Sequence, residues 1–224
     1  MALVIAERKI RRVVIVDDDQ SVRRAYQFSV EELGIAPVLE DGPLPGQLND
    51  YVTAATRKAD AAICDHHLRV KNYSGFNGAE LVAGLYQAGF PAILCTKWEE
   101  AHIDDLRRYR RYIPVLLKPD QLTPATITQA LTVCIQELSG TLLPSRRLWR
   151  AVIRIEDVDP PNARDRFVFV VIPSWNHNEV VRLRLADVRP EIMGKFAPGA
   201  RLHALVNLSA SSQEQLFFEN WEPA

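Results

Sequence analysis

Residues 11–140 alternate between short apolar runs and longer stretches whose apolar residues have helical spacing, and this alternation restricts the possible folds more than any other feature. The short runs are apolar throughout instead of at every second residue, which is typical of strands covered on both faces of a parallel sheet. Helices must then connect successive strands. The pattern predicts an α/β domain with a doubly wound parallel sheet over residues 1–140.

Five strand–helix units can be assigned in this region. Strands are predicted at residues 13–16, 36–39, 61–64, 92–95 and 113–117, and helices at residues 21–33, 44–58, 78–88, 98–111 and 124–138. Gly34 and Gly140 follow the first and last helices, where glycine commonly ends a helix. Ligands of such sheets bind beyond the carboxyl ends of the strands. The residues that follow the strands are therefore the candidates for chemistry.

The remainder of the chain has a different pattern. Pro144 and Ser145 lie in a predicted linker at residues 141–147. Strand-like runs follow at residues 148–155, 166–172, 180–185, 202–208 and 216–221, with turn residues between them. Several short strands separated by turns predict a small β-barrel or β-sandwich, here over residues 148–224.

The distribution of charge does not favour nucleic-acid binding. The net charge is −1; residues 1–140 carry 16 basic and 18 acidic side chains, and residues 141–224 carry 11 and 10. A domain that binds DNA through its phosphates usually carries a basic excess. Nucleic acid is therefore not an expected partner.

The cysteines and the apolar runs indicate the cellular compartment in which the protein is expected. Cys64, Cys95 and Cys134 are odd in number and lie in apolar runs, which favours buried reduced thiols over a disulfide framework. No apolar run reaches the roughly 18 residues of a membrane span. Residues 1–12 contain Glu7 and four basic residues and do not resemble a signal peptide. We expect a cytoplasmic protein with no membrane partner.

Polar residues follow four of the five strands predicted in residues 1–140. They are Asp17 and Asp18, Asp65, Thr96, and Lys118 with Pro119. Clustered carboxylates repel one another unless a cation is present, and oxygen ligands suit Mg²⁺. A carboxylate can also accept a phosphoryl group, whose charge the cation and Lys118 would neutralise. Pro119 is the predicted site of a cis peptide bond that aims Lys118.

These motifs resemble, in order and in approximate spacing, those of the receiver domains of two-component response regulators. The resemblance rests on residues 13–19, 63–65, 93–96 and 116–119, and residues 77–82 are similar to the start of the third helix of that family. It covers residues 11–140 and implies a flavodoxin-like sheet of strand order 2-1-3-4-5. In the simpler interpretation the acids only cap helices, and Asp18 or Asp19 suits an N-cap. That interpretation does not explain Thr96 and Lys118 together.

The resemblance also implies roles for individual residues. Asp17, Asp18 and Asp65 would hold Mg²⁺ with the backbone carbonyl of His67. Asp65 would accept a phosphoryl group from a sensor histidine kinase or a phosphotransfer protein. The hydroxyl of Thr96 and the ammonium group of Lys118 would then sense and hold that group.

Three departures from the family pattern affect the predicted switch. Lys97 stands where a small residue is usual, so its side chain could cover Asp65 or contact the phosphoryl group. Val115 occupies the place of the aromatic switch residue, which puts the usual coupling to Thr96 in doubt. The segment from Asp65 to Gly78 is longer than usual and is either a lid, a partner contact or a tolerated insertion.

The function of the predicted β domain is open. Arg146 and Arg150 fit an Arg-x-x-x-Arg pattern of PilZ domains, which bind cyclic di-GMP, but the glycine-containing second motif is missing. In the first domain, the arginine cluster at residues 107–111 would end the fourth helix. These cations would either stabilise the negative end of the helix dipole or contact a protein partner. No helix-turn-helix motif and no nucleophile–base pair stands out in residues 141–224.

We therefore predict a response regulator, which is a phosphoprotein switch and not an enzyme. Its β domain is expected to act as the output by binding a protein partner, and a homodimer is compatible with the sequence. One alternative is a phosphorylation-independent receiver-like adaptor, in which Lys97 and Val115 mark a degenerate switch. Another is a β domain that binds a nucleotide second messenger or nucleic acid.

Overall fold

The computed structural model describes residues 3–97, 103–188 and 196–224, and the chain forms two compact units. The N-terminal unit consists of Met1–Glu99 and Tyr112–Leu142. The C-terminal unit consists of Glu100–Arg111 and Leu143–Ala224. The chain therefore passes between the units three times, and a segment near the middle of the chain belongs to the second unit.

The N-terminal unit contains seven strands and four helices in its described residues. The strands are β1 (Leu3–Ile5), β2 (Arg8–Ile10), β3 (Arg12–Val16), β4 (Ala36–Leu39), β5 (Ala61–Asp65), β6 (Ala92–Cys95) and β7 (Leu116–Leu117). The helices are α1 (Gln20–Glu31), α2 (Leu48–Lys58), α3 (Gly78–Gln87) and α5 (Pro124–Leu138). Helix α4 (Ile103–Arg107) lies in the C-terminal unit.

Five of these strands form one parallel sheet of order β4-β3-β5-β6-β7. Counted from β3, this is the predicted order 2-1-3-4-5, so the α/β prediction is confirmed. The inner strands are buried along their whole length except for Arg12 and Asp65 at their ends. Apolar side chains on both sides of each strand explain why these runs do not alternate with polar residues.

Helix α1 shows how the local sequence fixes an element. The carboxylate of Asp19 accepts a hydrogen bond from the backbone N–H of Ser21 at 2.7 Å and caps the helix. Arg23, Tyr26 and Val30 are buried at helical spacing on one face. The interpretation of Asp19 as an N-cap is therefore confirmed, and the cap places the helix directly after β3.

The antiparallel hairpin of β1 and β2 was not predicted. Its turn residues, Ala6 and Glu7, have φ angles of 45° and 67°. Such turns favour glycine or asparagine, and neither stands here. The sequence consequently lacks the usual signal for a hairpin at this place.

The C-terminal unit is built on one antiparallel sheet of order β10-β9-β8-β11-β12. Its strands are β8 (Trp149–Val158), β9 (Phe167–Ile172), β10 (Asn176–Arg184), β11 (Arg201–Val206) and β12 (Phe218–Pro223). The five predicted strands are all present, and the all-β prediction is confirmed. The outer strands β10 and β12 do not pair within the described residues, so no barrel closure is seen there.

The core of this unit lies on one face of the sheet. It includes Ile153, Val170, Leu183, Val206 and Trp221. Alternate residues of β8 are buried and exposed, as expected for strands with one covered face.

The segment around α4 contacts the C-terminal sheet. Prediction placed a helix at residues 98–111; residues 98–102 lie outside the described part, and in the remainder α4 ends at Arg107 and a 3₁₀ turn follows at Arg110–Tyr112. Asp104 forms an ion pair with Arg182, and the Arg107 guanidinium donates to the carbonyl of Gln213 at 2.7 Å. This short helix is therefore held by the C-terminal unit.

No helix in the described residues is both long enough and apolar enough to cross a membrane.

Candidate functional site

The register of the parallel sheet brings the predicted site residues to one edge. Val16 pairs with Cys64, Asp65 with Cys95, and Cys95 with Leu117. The backbone N–H of Thr96 also donates to the carbonyl of Leu117 at 3.0 Å. Asp17, Asp65, Thr96 and Lys118 therefore follow one another across four adjacent strand ends. Parallel strands present their carboxyl ends at the same edge, which is where such folds bind ligands.

Asp17 is buried in this edge, with 4 % of its surface exposed. Its Oδ1 accepts a hydrogen bond from the backbone N–H of Asp19 at 2.8 Å. Burial, with smaller contributions from the negative charges of Asp65 and Asp18, raises the pKa of Asp17 to about 7, although the hydrogen bond from the Asp19 N–H opposes the shift. Without a cation the carboxyl group is consequently about half protonated near neutral pH.

Asp65 ends β5, and two backbone contacts fix its position. Its Oδ2 accepts a hydrogen bond from the backbone N–H of His67 at 2.5 Å. Burial raises its pKa, while hydrogen bonds from the backbones of His67 and His66 oppose this. The first residue of α3, Gly78, lies so close that an added Cβ would be 1.7 Å from the Asp65 carbonyl oxygen. Only glycine permits this approach of helix to strand.

The carboxylates fit a hard divalent cation by their chemistry. Asp17, Asp18 and Asp65 supply oxygen atoms only, and their charges raise the pKa values of Asp17 and Asp65, which a cation would relieve. The described residues contain no group of three or more His, Cys, Asp or Glu side chains already arranged around a metal position. Magnesium binding, and the role of the His67 carbonyl, stay predictions.

Thr96 and Lys118 differ in exposure. Thr96 is 1 % exposed, and within the described residues its hydroxyl oxygen has no hydrogen-bond partner. Lys118 and Lys97 are exposed, and no hydrogen bond or ion pair joins either ammonium group to Asp65 in the described part of the chain. The buried hydroxyl at the acidic edge has an unused donor and acceptor for an incoming oxygen atom.

The predicted cis peptide bond before Pro119 was wrong. The cis bond found among the described residues precedes Pro43. Lys118 has the extended ψ of 154°, which suits a residue before a trans proline, and Pro119 begins a 3₁₀ turn at Pro119–Gln121. The backbone N–H of Lys118 donates to the Gln121 side chain at 2.9 Å, so this turn fixes the lysine backbone.

The place of the predicted aromatic switch residue is filled by Val115, which is half-buried and packs against the core of the parallel sheet. The aromatic residue that contacts the end of β6 is Tyr26, which lies on α1. The hydroxyl group of Tyr26 on α1 lies 3.2 Å from the sulfur of Cys95, directly before Thr96. Burial raises the pKa values of Tyr26 and of Cys95, the latter to about 12. Cys64, Cys95 and Cys134 are buried and form no disulfide bond in the described residues, as predicted.

Sequence reasoning missed Arg23 and Tyr73. Arg23 is 5 % exposed and donates to the backbone carbonyl of Asp17. Its guanidinium also lies 5.9 Å from the ring centre of Tyr73 and forms an ion pair with Asp41. The position of Arg23 on the buried face of α1 was a signal, because a buried arginine needs a specific acceptor.

Tyr73 shows what the long segment after Asp65 does. Its hydroxyl group donates to the Glu40 carbonyl at 2.7 Å, and its carbonyl accepts from the Leu44 N–H at 2.8 Å. Leu68 and Phe76 of the same segment are buried. The long segment therefore packs against the loop that follows β4, next to the strand ends that carry the acidic residues.

The two arginines of the Arg-x-x-x-Arg pattern have separate structural partners. Arg146 is 4 % exposed and donates to the carbonyls of Arg110 and Arg111. The side chain of Arg150 is 59 % exposed and pairs with Glu222 at 3.4 Å. The structure does not bring them together as a ligand clamp.

The architecture of the N-terminal unit follows from the strand order of its parallel sheet and from the polar residues at the carboxyl ends of the strands. The N-terminal unit has the receiver fold. Solved receiver domains are similar to it. One from Clostridium thermocellum is 12 % identical and covers 59 % of this chain and 99 % of that chain at a TM-score of 0.43.

Two further solved structures have similar coverage. A CheY-like receiver domain from Methanospirillum hungatei is 14 % identical and covers 58 % of this chain and 98 % of that chain at a TM-score of 0.42. The activated form of SdrG from Pseudomonas melonis is 22 % identical and covers 55 % and 95 % at 0.38. A scan against protein-family models and a search of curated proteins found no match.

Proposed function

We propose that this chain is a response regulator whose Asp65 accepts a phosphoryl group. The observation that carries the proposal is the sheet register, which sets Asp17, Asp65, Thr96 and Lys118 on four adjacent strand ends. An acidic pocket, a buried hydroxyl and a lysine at one edge suit the transfer of a phosphoryl group to a carboxylate. The donor would be the phosphohistidine of a sensor kinase or of a phosphotransfer protein.

The transfer assigns a task to each group. A carboxylate oxygen of Asp65 attacks phosphorus, the bond from phosphorus to the histidine nitrogen breaks, and the nitrogen retains the electron pair. Asp17 and Asp18, with Asp65, would hold Mg²⁺, which supplies positive charge to the phosphoryl oxygens. The His67 N–H, which donates to Oδ2 of Asp65, orients the carboxylate.

Lys118 and Thr96 act after the transfer. Lys118 is exposed in the unphosphorylated protein and swings toward the new dianion, to which its ammonium group forms an ion pair. The buried Thr96 hydroxyl then donates to a phosphoryl oxygen. The chain acts as a switch in this proposal, and its catalytic contribution is confined to its own phosphorylation and dephosphorylation. The C-terminal unit is the output and binds a protein partner.

Intact-mass spectrometry after incubation with acetyl phosphate and Mg²⁺ tests the proposal. We expect one phosphoryl group on the wild type, none on Asp65→Asn, and none when a chelator removes the cation. The matched control is Asp50→Asn, which removes an exposed carboxylate on α2 and should leave the adduct intact.

Absence of an adduct on folded wild type would instead support the phosphorylation-independent adaptor. The observations that favour this second candidate are the exposure of Lys118 and Lys97 and the valine at position 115. Beryllofluoride binding distinguishes a slow acceptor from a degenerate one, since it needs the site but no transfer.

A further inference from the structure

The backbone of Asp17 is bonded on both sides to side chains from other elements. The guanidinium group of Arg23 on α1 donates to the carbonyl of Asp17. The hydroxyl group of Tyr73, in the segment between β5 and α3, accepts a hydrogen bond from the Asp17 N–H. The first acidic residue of the candidate site is therefore fixed through its main chain.

Tyr73 takes the place of a hydrogen bond between two strands. The last ladder bond between β3 and β4 runs from the Glu40 N–H to the Ile15 carbonyl at 3.1 Å. In a regular parallel ladder the next bond would join the Asp17 N–H to the Glu40 carbonyl. The Tyr73 hydroxyl group instead lies between them, because it accepts from that N–H and donates to that carbonyl at 2.7 Å. The long segment thus reaches into the end of the sheet.

The ring of Tyr73 is held by its surroundings. Gly42 has a φ angle of 67°, and a Cβ at this position would lie 2.5 Å from Cδ2 of Tyr73. The guanidinium group of Arg23 lies 5.9 Å from the ring centre and forms an ion pair with Asp41 at 3.4 Å. Arg23 and Tyr73 are 5 % and 6 % exposed. The two residues that hold Asp17 therefore also interact with each other, away from solvent.

The rigidity of a carboxylate ligand matters more to Mg²⁺ than to Ca²⁺. Mg²⁺ requires near-octahedral geometry at about 2.0–2.1 Å, whereas Ca²⁺ accepts about six to eight oxygen ligands at about 2.3–2.6 Å in flexible arrangements. The carboxylate of Asp17 is restrained as well, since its Oδ1 accepts from the Asp19 N–H at 2.8 Å. A fixed main chain with a restrained carboxylate favours the smaller ion.

We propose that Tyr73 and Arg23 are positioning residues that make the cation site of Asp17, Asp18 and Asp65 selective for Mg²⁺ over Ca²⁺. Each acts through the backbone of Asp17 and not on the cation itself. The long segment after Asp65 supplies Tyr73 and so takes part in this selectivity. The inference rests on the proposed function in its use of the same cation site, but it does not require transfer of a phosphoryl group.

Thermal unfolding of the full chain at pH 8 tests the proposal, with Mg²⁺ and Ca²⁺ titrated separately into protein freed of cations by a chelator. Each rise in Tm is measured from the cation-free Tm of the same variant, so a general loss of stability does not change the derived affinity. We expect Tyr73→Phe to weaken Mg²⁺ binding about tenfold, since the loss of a group that orients a metal ligand typically costs about 10–100-fold in affinity. Ca²⁺ binding should weaken less than about threefold, because Ca²⁺ tolerates a displaced ligand.

Arginine variants test the second contact. Arg23→Gln should also lower the ratio of Mg²⁺ to Ca²⁺ affinity. Arg23→Lys retains a donor for the Asp17 carbonyl and should recover part of the Mg²⁺ affinity. The matched control is Arg24→Gln, which removes an exposed arginine at the next position of α1 and should leave both affinities within about twofold. Circular dichroism shows whether each variant is folded, and Tyr73→Phe decides alone if Arg23→Gln is not.

An unchanged affinity ratio in Tyr73→Phe, or an equal loss for both cations, would overturn the selectivity. A wild type that binds no Mg²⁺ would overturn both this inference and the proposed function. If the wild type prefers Mg²⁺ and Tyr73→Phe loses that preference, yet Asp65 takes no phosphoryl group, the proposed function fails and this inference is supported. If Asp65 is phosphorylated and the ratio in Tyr73→Phe is unchanged, only this inference fails.

Discussion

At the residue scale, Gly78 is the position where the sequence controls the geometry of Asp65 most directly. An alanine there would set its Cβ 1.7 Å from the Asp65 carbonyl oxygen, so α3 or the end of β5 must shift. We expect Gly78→Ala to lower the free energy of unfolding by about 1–3 kcal/mol through overpacking. It should also slow phosphorylation of Asp65, measured by mass spectrometry at successive times.

The control for Gly78→Ala is Gly46→Ala. A Cβ at Gly46 would meet no atom within 4 Å. Urea denaturation should therefore show a change within about 0.5 kcal/mol for this variant. Equal stability of the two variants would contradict the close approach of α3 to β5.

The raised pKa of Asp17 predicts how stability depends on pH. The pKa is about 7 in the folded protein and 3.8 in an unperturbed side chain, so the folded state binds more protons between these values. Stability of the cation-free protein is then highest at low pH in this window and falls as the pH rises toward 7. Asp17→Asn removes this contribution.

Thermal unfolding in the presence of a chelator measures this effect. We expect the Tm of Asp17→Asn relative to wild type to rise between pH 5 and pH 8. Added Mg²⁺ should raise the Tm of the wild type at pH 8 and have less effect at pH 5, where protons compete for the carboxylates. A difference between the two proteins that is independent of pH would contradict the assignment.

The sequence predicted the acidic residues of the candidate site because each follows an apolar run, and strand ends of a parallel sheet meet at one edge. It did not predict Arg23, since an arginine within an amphipathic helix is normally on the solvent side. Its contact with the Asp17 carbonyl depends on how α1 is rotated against β3. The bond before Pro119 was predicted as cis because the sequence does not reveal the 3₁₀ turn that Pro119 begins.

At the element scale, Tyr73 tests whether the long segment after Asp65 is a fixed part of the fold. Tyr73→Phe removes the hydroxyl group that donates to the Glu40 carbonyl at 2.7 Å. We expect a loss of about 0.5–1.5 kcal/mol in the free energy of unfolding, since the carbonyl loses a protein donor. Amide hydrogen exchange should increase at residues 40–46 and 66–77.

Tyr112→Phe is the matched control for this change. The Tyr112 hydroxyl group makes no hydrogen bond in the part of the chain that the structure describes, and its ring packs against Tyr86. Its removal should alter stability by less than about 0.5 kcal/mol. If Tyr73→Phe is equally neutral and its exchange pattern is unchanged, the segment is a mobile insertion.

Elements with strong periodicity were predicted well, and their ends less so. Helix α5 was predicted at its observed bounds, because Thr123 and Pro124 mark its start and a glycine follows its end. Helix α2 begins at Leu48 and not at residue 44, because prolines and a glycine occupy the preceding turn. The β1–β2 hairpin has no sequence signal in its turn, since Ala6 and Glu7 adopt positive φ without glycine.

At the scale of the whole molecule, the α4 segment depends on partners that the chain supplies only after Leu142. Asp104 and Arg107 are buried and have their partners at Arg182 and Gln213. A chain ending at Leu142 would expose both side chains and remove those partners. We expect faster amide exchange at residues 103–111 and a lower Tm than in the full chain.

The comparison needs a control that leaves the segment's partners in place. The full chain with the substitution Arg154→Gln is this control, since Arg154 is exposed on β8 and forms an ion pair with Glu156. Its exchange at residues 103–111 should equal that of the wild type. Unchanged exchange in the chain ending at Leu142 would show that α4 is held without the C-terminal unit.

The sequence showed two kinds of pattern and placed the change between them near residue 141. It did not show that Glu100–Arg111 belongs to the C-terminal unit, because helical periodicity indicates that a face is buried but does not identify the surface that covers it. The ion pairs of Asp104 and Asp105 with arginines of β10 join residues about 80 positions apart, and a single sequence carries no direct signal of such pairs.

The three passages of the chain between the units restrict how such a protein can change in evolution. New regulators are readily assembled when a recombination event joins one module to another at a single linker. In this chain, replacement of residues 143–224 by another domain would also remove the arginines and carbonyl groups that contact Ile103–Arg107. We therefore expect the two units to be inherited together, with compensating substitutions that appear jointly in α4 and β10.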